Sequence, residues 1–145
     1  MHHRWKNNGI WLDISIIKEY GNLPLFYCFT GQVNQVFINI LTNAIDALEE
    51  SMVNLKTIDK PQITIRTEIL DSKFVVIRIA DNGLGIEEDI RNRLFDPLLT
   101  TKHVGKGTGL GLSISYQIVV EKYGGSLNCL SEPGKGKEFW IEIPI

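Results

Sequence analysis

The sequence predicts an α+β domain, a two-layer sandwich in which a mixed, mostly antiparallel sheet is covered on one face by about three helices. Three observations carry this expectation. Segments of period-two apolar alternation recur along the chain. Short turns rich in Gly, Asn and Asp join most of them, which favours antiparallel pairing. Two longer segments place apolar residues at spacings of three and four, the period of a helix with one buried face. At 145 residues the chain has the size of one domain and can bury roughly 70% of its unfolded surface.

Met1 to Gly9 is polar and ends in Asn7-Asn8-Gly9. Residues 1–9 therefore read as a frayed lead-in, or the truncated connection to an upstream domain, and no fold is argued from them. The domain proper is expected over residues 10–145. Ile10 to Glu19 alternates and is rich in isoleucine, as a strand would be. Gly21-Asn22-Leu23-Pro24 then turns the chain into a shorter strand, Leu25 to Phe29, giving a hairpin at a sheet edge.

Thr30 precedes a helical pattern in which Val33, Val36, Phe37, Ile40, Leu41, Ala44, Ile45 and Leu48 form an apolar stripe, and the helix is expected to run to about Met52. Gln35, Asn39, Asn43 and Asp46 form a second stripe beside it. Solvated helix faces usually carry Lys and Glu; two asparagines one turn apart have poor helix propensity and offer amide oxygens without charge. Asn39 and Asn43 thus stand between a solvated face and a binding stripe.

Gln62 to Leu70 is predicted as a strand, Asp71-Ser72-Lys73 as a tight turn, and Phe74 to Ala80 as its antiparallel return. The return strand ends at Asp81-Asn82-Gly83-Leu84-Gly85-Ile86. There a carboxylate reaches the end of a sheet, and two glycines let the backbone turn and approach a flat ligand. By itself this segment reads more readily as an ordinary strand-to-helix turn. A short helix from Glu87 to Leu94 follows, acidic in its first turn and basic in its last, as the helix dipole favours.

Phe95 to Gly109 has no clear period, and a loop of that length inside a compact domain is usually a lid or a binding loop. Its glycines continue through Gly111 into an apolar helix, Leu112 to Tyr123, closed by Gly124-Gly125. Ser126 to Ser131 and Glu138 to Ile143 are predicted as the last two strands, joined by Glu132-Pro133-Gly134-Lys135-Gly136.

Charged residues at 22%, apolar ones at 43% and a net charge of −2 describe an ordinary soluble protein, not basic enough for nucleic acid or an anionic membrane to be its main partner. Cys28 and Cys129 are far apart, with no metal-ligand spacing, and read as buried thiols in a reducing compartment. No apolar segment is long enough for a signal peptide or a membrane span. A cytoplasmic location is expected, with any membrane anchor on a larger parent chain.

A glycine-rich loop opening a helix points unpaired N–H groups at an anion, so Gly105 to Gly111 is a candidate phosphate site, although a weak signal alone. It fits neither of the commonest templates. Lys106 is followed by Gly107 where a P-loop needs Ser or Thr, and the glycines follow a loop where a dinucleotide fingerprint needs a strand.

The order of the pieces is more specific: an Asn stripe on a helix, D-x-G-x-G after a strand, a phenylalanine and T-T-K before a loop, then G-x-G-x-G-L opening a helix. In that order they resemble the N, G1, F and G2 boxes of the GHKL, or Bergerat-fold, ATP-binding superfamily. Within it, Phe95-Asp96-Pro97-Leu98-Leu99-Thr100-Thr101-Lys102 and Gly107-Thr108-Gly109-Leu110-Gly111-Leu112 resemble the catalytic, ATP-binding domain of bacterial two-component sensor histidine kinases.

The resemblance implies ATP and Mg²⁺ as ligands and a flexible lid over the triphosphate. It implies that Asp81 accepts a hydrogen bond from the adenine amine, that Gly83 and Gly85 shape the base pocket with Ile86 and Phe95 beside them, and that Asn43 gives Mg²⁺ an amide oxygen with Asn39 near the phosphates. Thr101 and Lys102 would line the phosphate side, and Gly105, Lys106, Gly107, Thr108, Gly109, Leu110, Gly111 and Leu112 would wrap it. Asn39, Asn43 and Lys102 are the implied catalytic set. The implied partners are a phosphoacceptor helical-hairpin domain and a response regulator, with a homodimeric parent.

Hydrolysing members of the superfamily place a Glu at the position of Asn39, where a carboxylate assists deprotonation of water or serine. An amide is no base. A neutral histidine already presents a ring lone pair near pH 7, so Asn39 favours a histidine acceptor over an ATPase. His2 and His3 are followed by Arg4, where the family's acceptor histidine is followed by an acidic residue, and His103 lies in the lid. The acceptor is accordingly expected upstream in the parent protein. The rival readings are an ATPase and a non-catalytic nucleotide-binding module. Two departures from the family pattern remain: Lys137 stands where relatives usually have a threonine near adenine, and Asp46 where many carry a basic residue.

Overall fold

A computed structural model describes residues 2–7, 10–20, 30–54, 60–95, 111–132 and 134–144. Two strands open the chain, β1 (His2–Asn7) and β2 (Ile10–Tyr20). Helix α1 (Thr30–Glu49) follows and continues as a π-helical turn over Glu50–Asn54. Next come β3 (Gln62–Leu70), β4 (Phe74–Asp81) and the single-turn helix α2 (Glu88–Arg91). Helix α3 (Gly111–Tyr116), continued as a π-helix over Gln117–Lys122, leads to β5 (Ser126–Glu132) and β6 (Gly136–Pro144).

The strands form one six-stranded sheet in the order β1-β2-β3-β4-β6-β5. Every neighbouring pair is antiparallel except β2–β3, which is parallel and has α1 in its crossover. A parallel pair needs such a long connection, whereas β3–β4 and β5–β6 need only a tight turn. In the β3–β4 turn both Asp71 and Ser72 have positive φ, at 54° and 55°. The α+β sandwich expected from the patterning is the fold observed.

One expectation is corrected. Residues 2–7 are a strand paired with β2 from His2↔Ser15 to Asn7↔Ile10, not a structureless lead-in. Their polarity hid a backbone ladder that polarity does not forbid, and Asn8-Gly9 between the paired ends is itself a strong two-residue hairpin signal. Among the described residues the neighbours of β2 are β1 and β3; the predicted strand at 25–29 lies outside them.

The core fills the space between one sheet face and the helices. Ile40, Ala44 and Leu48 of α1 and Leu112 and Val119 of the α3 segment pack with Ile63, Ile65, Ile79, Leu127, Phe139, Ile141 and Ile143 of the strands. The stripe read from the sequence is thus the buried face of α1. Gly124, with φ of 69°, ends the second helical segment, and the Gly125 N–H closes it on the Val119 carbonyl at 2.8 Å. That is the glycine stop expected there.

Candidate functional site

The end of β4 lies between the starts of β3 and β6, with Asp81 opposite Ile63 on one side and Lys137 on the other. Period-two alternation turns Val75, Ile79 and Asp81 toward the helices, and Lys137, Phe139, Ile141 and Ile143 likewise on β6. Two charges therefore share the end of an otherwise apolar face. They are paired: Lys137 Nζ donates to Asp81 Oδ2 at 2.7 Å, with the two side chains 3% and 2% exposed. The other carboxylate oxygen, Oδ1, accepts the Gly83 N–H at 3.0 Å.

The D-N-G-L-G-I turn is pinned from both flanks. Asn82 accepts the Gln62 N–H at 2.8 Å and donates to the Lys60 carbonyl at 2.9 Å. The Ile86 N–H donates to Ser131 Oγ at 2.6 Å, tying the turn to β5. Gly85 has φ of 82°, and a Cβ there would run into the Glu132 carbonyl, so only glycine fits. At Gly83 a Cβ would sit 3.0 Å from Asp81 Oδ1 and 3.3 Å from Ser51 Oγ, which places the turn directly against α1.

Asn39, Asn43 and Ala47 follow one another at single-turn spacing along α1, over about 12 Å of helix axis. Ala47 meets the Gly83 end. Asn39 meets the start of α3: its Nδ2 donates to the Gly111 carbonyl at 3.0 Å and to Ser115 Oγ at 3.1 Å, while its Oδ1 accepts Gln35 Nε2 at 2.9 Å. Asn43, between them, has a buried amide oxygen with no hydrogen-bond partner among the described residues. A buried acceptor without a donor is costly, and a hard oxygen of this kind suits Mg²⁺, which takes few protein ligands and keeps several waters. The residues present fit that ion.

Phe95 closes the α2 side, stacked on Tyr116 at a centroid distance of 5.4 Å and edge-on to Phe139 at 6.4 Å. Ile86 packs against the core, and Leu112 is buried within it. The structure thus brings Asn39, Asn43, Asp81, Gly83, Gly85, Ile86, Phe95, Gly111 and Leu112 to one end of the helix-covered face. Thr101, Lys102, Gly105, Lys106, Gly107, Thr108, Gly109 and Leu110 lie outside the described residues.

Sequence reasoning missed Ser115 and Ser131, and it treated Lys137 as a departure without seeing its partner. Neither serine has a signal in the sequence. Lys137 does have one: it is a charge in register with Phe139, Ile141 and Ile143, and a lysine on an inward strand face needs a counter-charge.

A strand-borne carboxylate, an amide-lined helix and a glycine-opened second helix on a mixed sheet define a nucleotide-binding domain of the Bergerat type. The chain belongs to the family described as histidine kinase-, DNA gyrase B- and HSP90-like ATPase, whose profile matches residues 30–145. It is 40% identical to sporulation kinase E of Bacillus subtilis over 138 residues, covering 95% of this chain and 17% of that protein. Against the signal transduction histidine-protein kinase AtoS of Escherichia coli it is 35% identical, covering 94% of this chain and 21% of that protein. The chain therefore spans about a fifth of the length of these relatives.

Among solved structures, the nucleotide-free catalytic domain of histidine kinase ThkA superposes with a TM-score of 0.73 at 31% identity, covering 90% of this chain and 80% of that one. Full-length ShkA in complex with AMPPNP superposes with a TM-score of 0.74 at 28% identity, covering 90% of this chain and 25% of that one. These relatives are named as kinases, one of them a signal transduction histidine-protein kinase, and the domain is of the histidine kinase catalytic class.

Proposed function

We propose that this domain binds Mg-ATP between α1 and the Asp81 turn and passes the γ-phosphoryl group to a histidine on a separate helical-hairpin acceptor domain, in two-component signalling. The buried, unpartnered oxygen of Asn43 carries the reading. It lies on α1 between the turn that presents Asp81 and the helix that opens at Gly111. The AMPPNP complex of the similar ShkA supports a nucleotide ligand.

In this reading Asp81 accepts the adenine amine, Gly83 and Gly85 allow the base to approach, and Ile86 and Phe95 border the pocket. The Asn43 oxygen would hold Mg²⁺, which neutralises phosphate charge when bound. Thr101, Lys102 and the segment from Gly105 to Gly111 enclose the phosphates. In transfer, the bond from the γ-phosphorus to the β–γ bridging oxygen breaks as a bond to the histidine ring nitrogen forms, and ADP leaves. The imidazole supplies its own lone pair, so no carboxylate base is needed, and the amide at Asn39 is compatible with that reaction. The parent protein would be a cytoplasmic or membrane-anchored homodimer whose phosphorylated histidine serves a response regulator.

Mixing the domain with a separately made acceptor hairpin and γ-labelled ATP tests this directly, with label expected on the hairpin histidine. An unlabelled hairpin would mark a docking module, and steady phosphate release by the domain alone an ATPase. Asn43→Ala and Asp81→Asn are each expected to abolish Mg-ATP binding in calorimetry. Because Asp81→Asn also leaves Lys137 buried without its partner, at a cost of about 3–5 kcal/mol, it must be read beside a circular dichroism melt. Unchanged affinity in the folded variant would sink the adenine assignment.

A further inference from the structure

We infer that Ser115 is a positioning residue for phosphoryl transfer, acting through Asn39, and that Asn39 commits its amide to the protein and not to a phosphate. This deepens the proposed function and rests on its nucleotide site. The observation is a closed triangle of hydrogen bonds between α1 and α3. Asn39 Nδ2 donates to the Gly111 carbonyl at 3.0 Å and to Ser115 Oγ at 3.1 Å, and Ser115 Oγ donates to the same carbonyl at 2.7 Å.

These contacts occupy the Asn39 side chain. An Asn amide has two N–H donors and one oxygen. Both donors have protein acceptors, and the oxygen accepts Gln35 Nε2 at 2.9 Å. No donor is left for a phosphate oxygen. Ser115 is 0% exposed, so no water stands in for its hydroxyl, and its bond to the carbonyl four residues earlier competes with regular helix geometry. Removing that hydroxyl takes one acceptor from Asn39 and one donor from the Gly111 carbonyl.

The triangle has a mechanical consequence. Asn39 and Asn43 are one turn apart on α1, about 6 Å along its axis, and Gly111 is where the glycine-rich segment enters α3. The latch therefore fixes the segment that would enclose the phosphates to the helix whose Asn43 oxygen would hold Mg²⁺. With two side-chain donors on the Gly111 carbonyl, the plane of the Gly111–Leu112 peptide is set as well. Alignment of this kind shows in the rate of transfer more than in ground-state affinity.

The test is a cycle of Asn39→Ala, Ser115→Ala and the double variant, each checked for folding by circular dichroism. Transfer from saturating Mg-ATP to a separately made acceptor hairpin is timed, and Mg-ATP affinity is measured by calorimetry. Each single variant is expected to slow transfer about tenfold or more, with affinity within about threefold of the wild type. The double variant is expected to be no more than about threefold slower than the slower single, because the two residues act as a unit. A folded Ser115→Ala that transfers at the wild-type rate overturns the inference. So do effects that multiply in the double variant, or an Asn39→Ala that weakens Mg-ATP more than about tenfold, as loss of a phosphate contact would. If the variants do not fold, a crystal structure of the wild type with Mg²⁺ and AMPPNP decides. Asn39 Nδ2 still on Gly111 and Ser115 supports the latch, and Asn39 Nδ2 within hydrogen-bond distance of a phosphate oxygen overturns it. A wild-type domain that binds no Mg-ATP, or binds it and labels no hairpin, fails the proposed function itself and removes this role with it.

Discussion

Cys129 lies on β5 opposite Phe139 of β6, two residues beyond Lys137 on the same face. Burial pushes its thiol up from an ordinary 9.0 to about 11; the Lys137 charge pulls it down, Asp81 pushes it up and Arg91 pulls it down, each by less than burial. The folded state therefore keeps a proton that the unfolded state loses above pH 9, so stability falls as pH rises from about 9 to about 11. The loss is on the order of 2–3 kcal/mol across that window. Urea titrations of the wild type and Cys129→Ala at pH 8 and pH 10.5 check this, since only the wild type should lose stability from this thiol. Cys129 is half-buried, less enclosed than the buried thiol the sequence leads one to expect, whereas Cys28 lies outside the described residues.

At the level of elements, one amide of α1 ties the start of α3 to it, beside their shared apolar core. Asn39 donates to the Gly111 carbonyl and to Ser115 Oγ, and Ser115 Oγ itself donates to the Gly111 carbonyl at 2.7 Å. Around Gly111 the packing is close, with an added Cβ falling 3.3 Å from Asn39 Cγ. The residue that sequence reasoning placed near the phosphates thus fixes where the glycine-rich segment enters its helix. Asn39→Asp should destabilise the domain by about 1–3 kcal/mol, because a carboxylate cannot donate and would face the Gly111 carbonyl. Thermal unfolding measures the loss; a midpoint unchanged in Asn39→Asp would show that the clamp contributes nothing.

Across the whole molecule, sheet order decides what the ends of the chain do. Among the described residues β1 is an edge strand, and it covers residues 10–15 of β2, while β3 pairs with residues 15–20. Removing residues 1–7 should leave the Asp81 end untouched, three strands away, but uncover a ladder edge that carries Ile10 and Ile14. Exposed edges of that kind pair with other chains. Size-exclusion chromatography with light scattering is expected to show concentration-dependent association of the truncated domain and none specific to this edge in the full chain.

Much of this was legible in the sequence because it is local. Alternation in β3, β4 and β6, the stripe on α1 and the Gly124-Gly125 stop follow from neighbours a few residues apart, and so did the class of fold. The ordered boxes placed Asp81, Asn43 and Gly111 in one site before any contact was known. What was not legible spans the chain. Asp81 and Lys137 are 56 residues apart and Asn39 and Ser115 are 76, and no periodicity encodes such pairs. β1 was missed for a related reason, since an edge strand held by backbone bonds needs no apolar alternation. The sequence by itself determined the fold and the family. Only the tertiary structure decided that the Asp81 carboxylate is charge-paired and that Asn39 is a clamp while the Asn43 oxygen has no partner among the described residues, because burial and hydrogen-bond saturation arise only when distant segments meet.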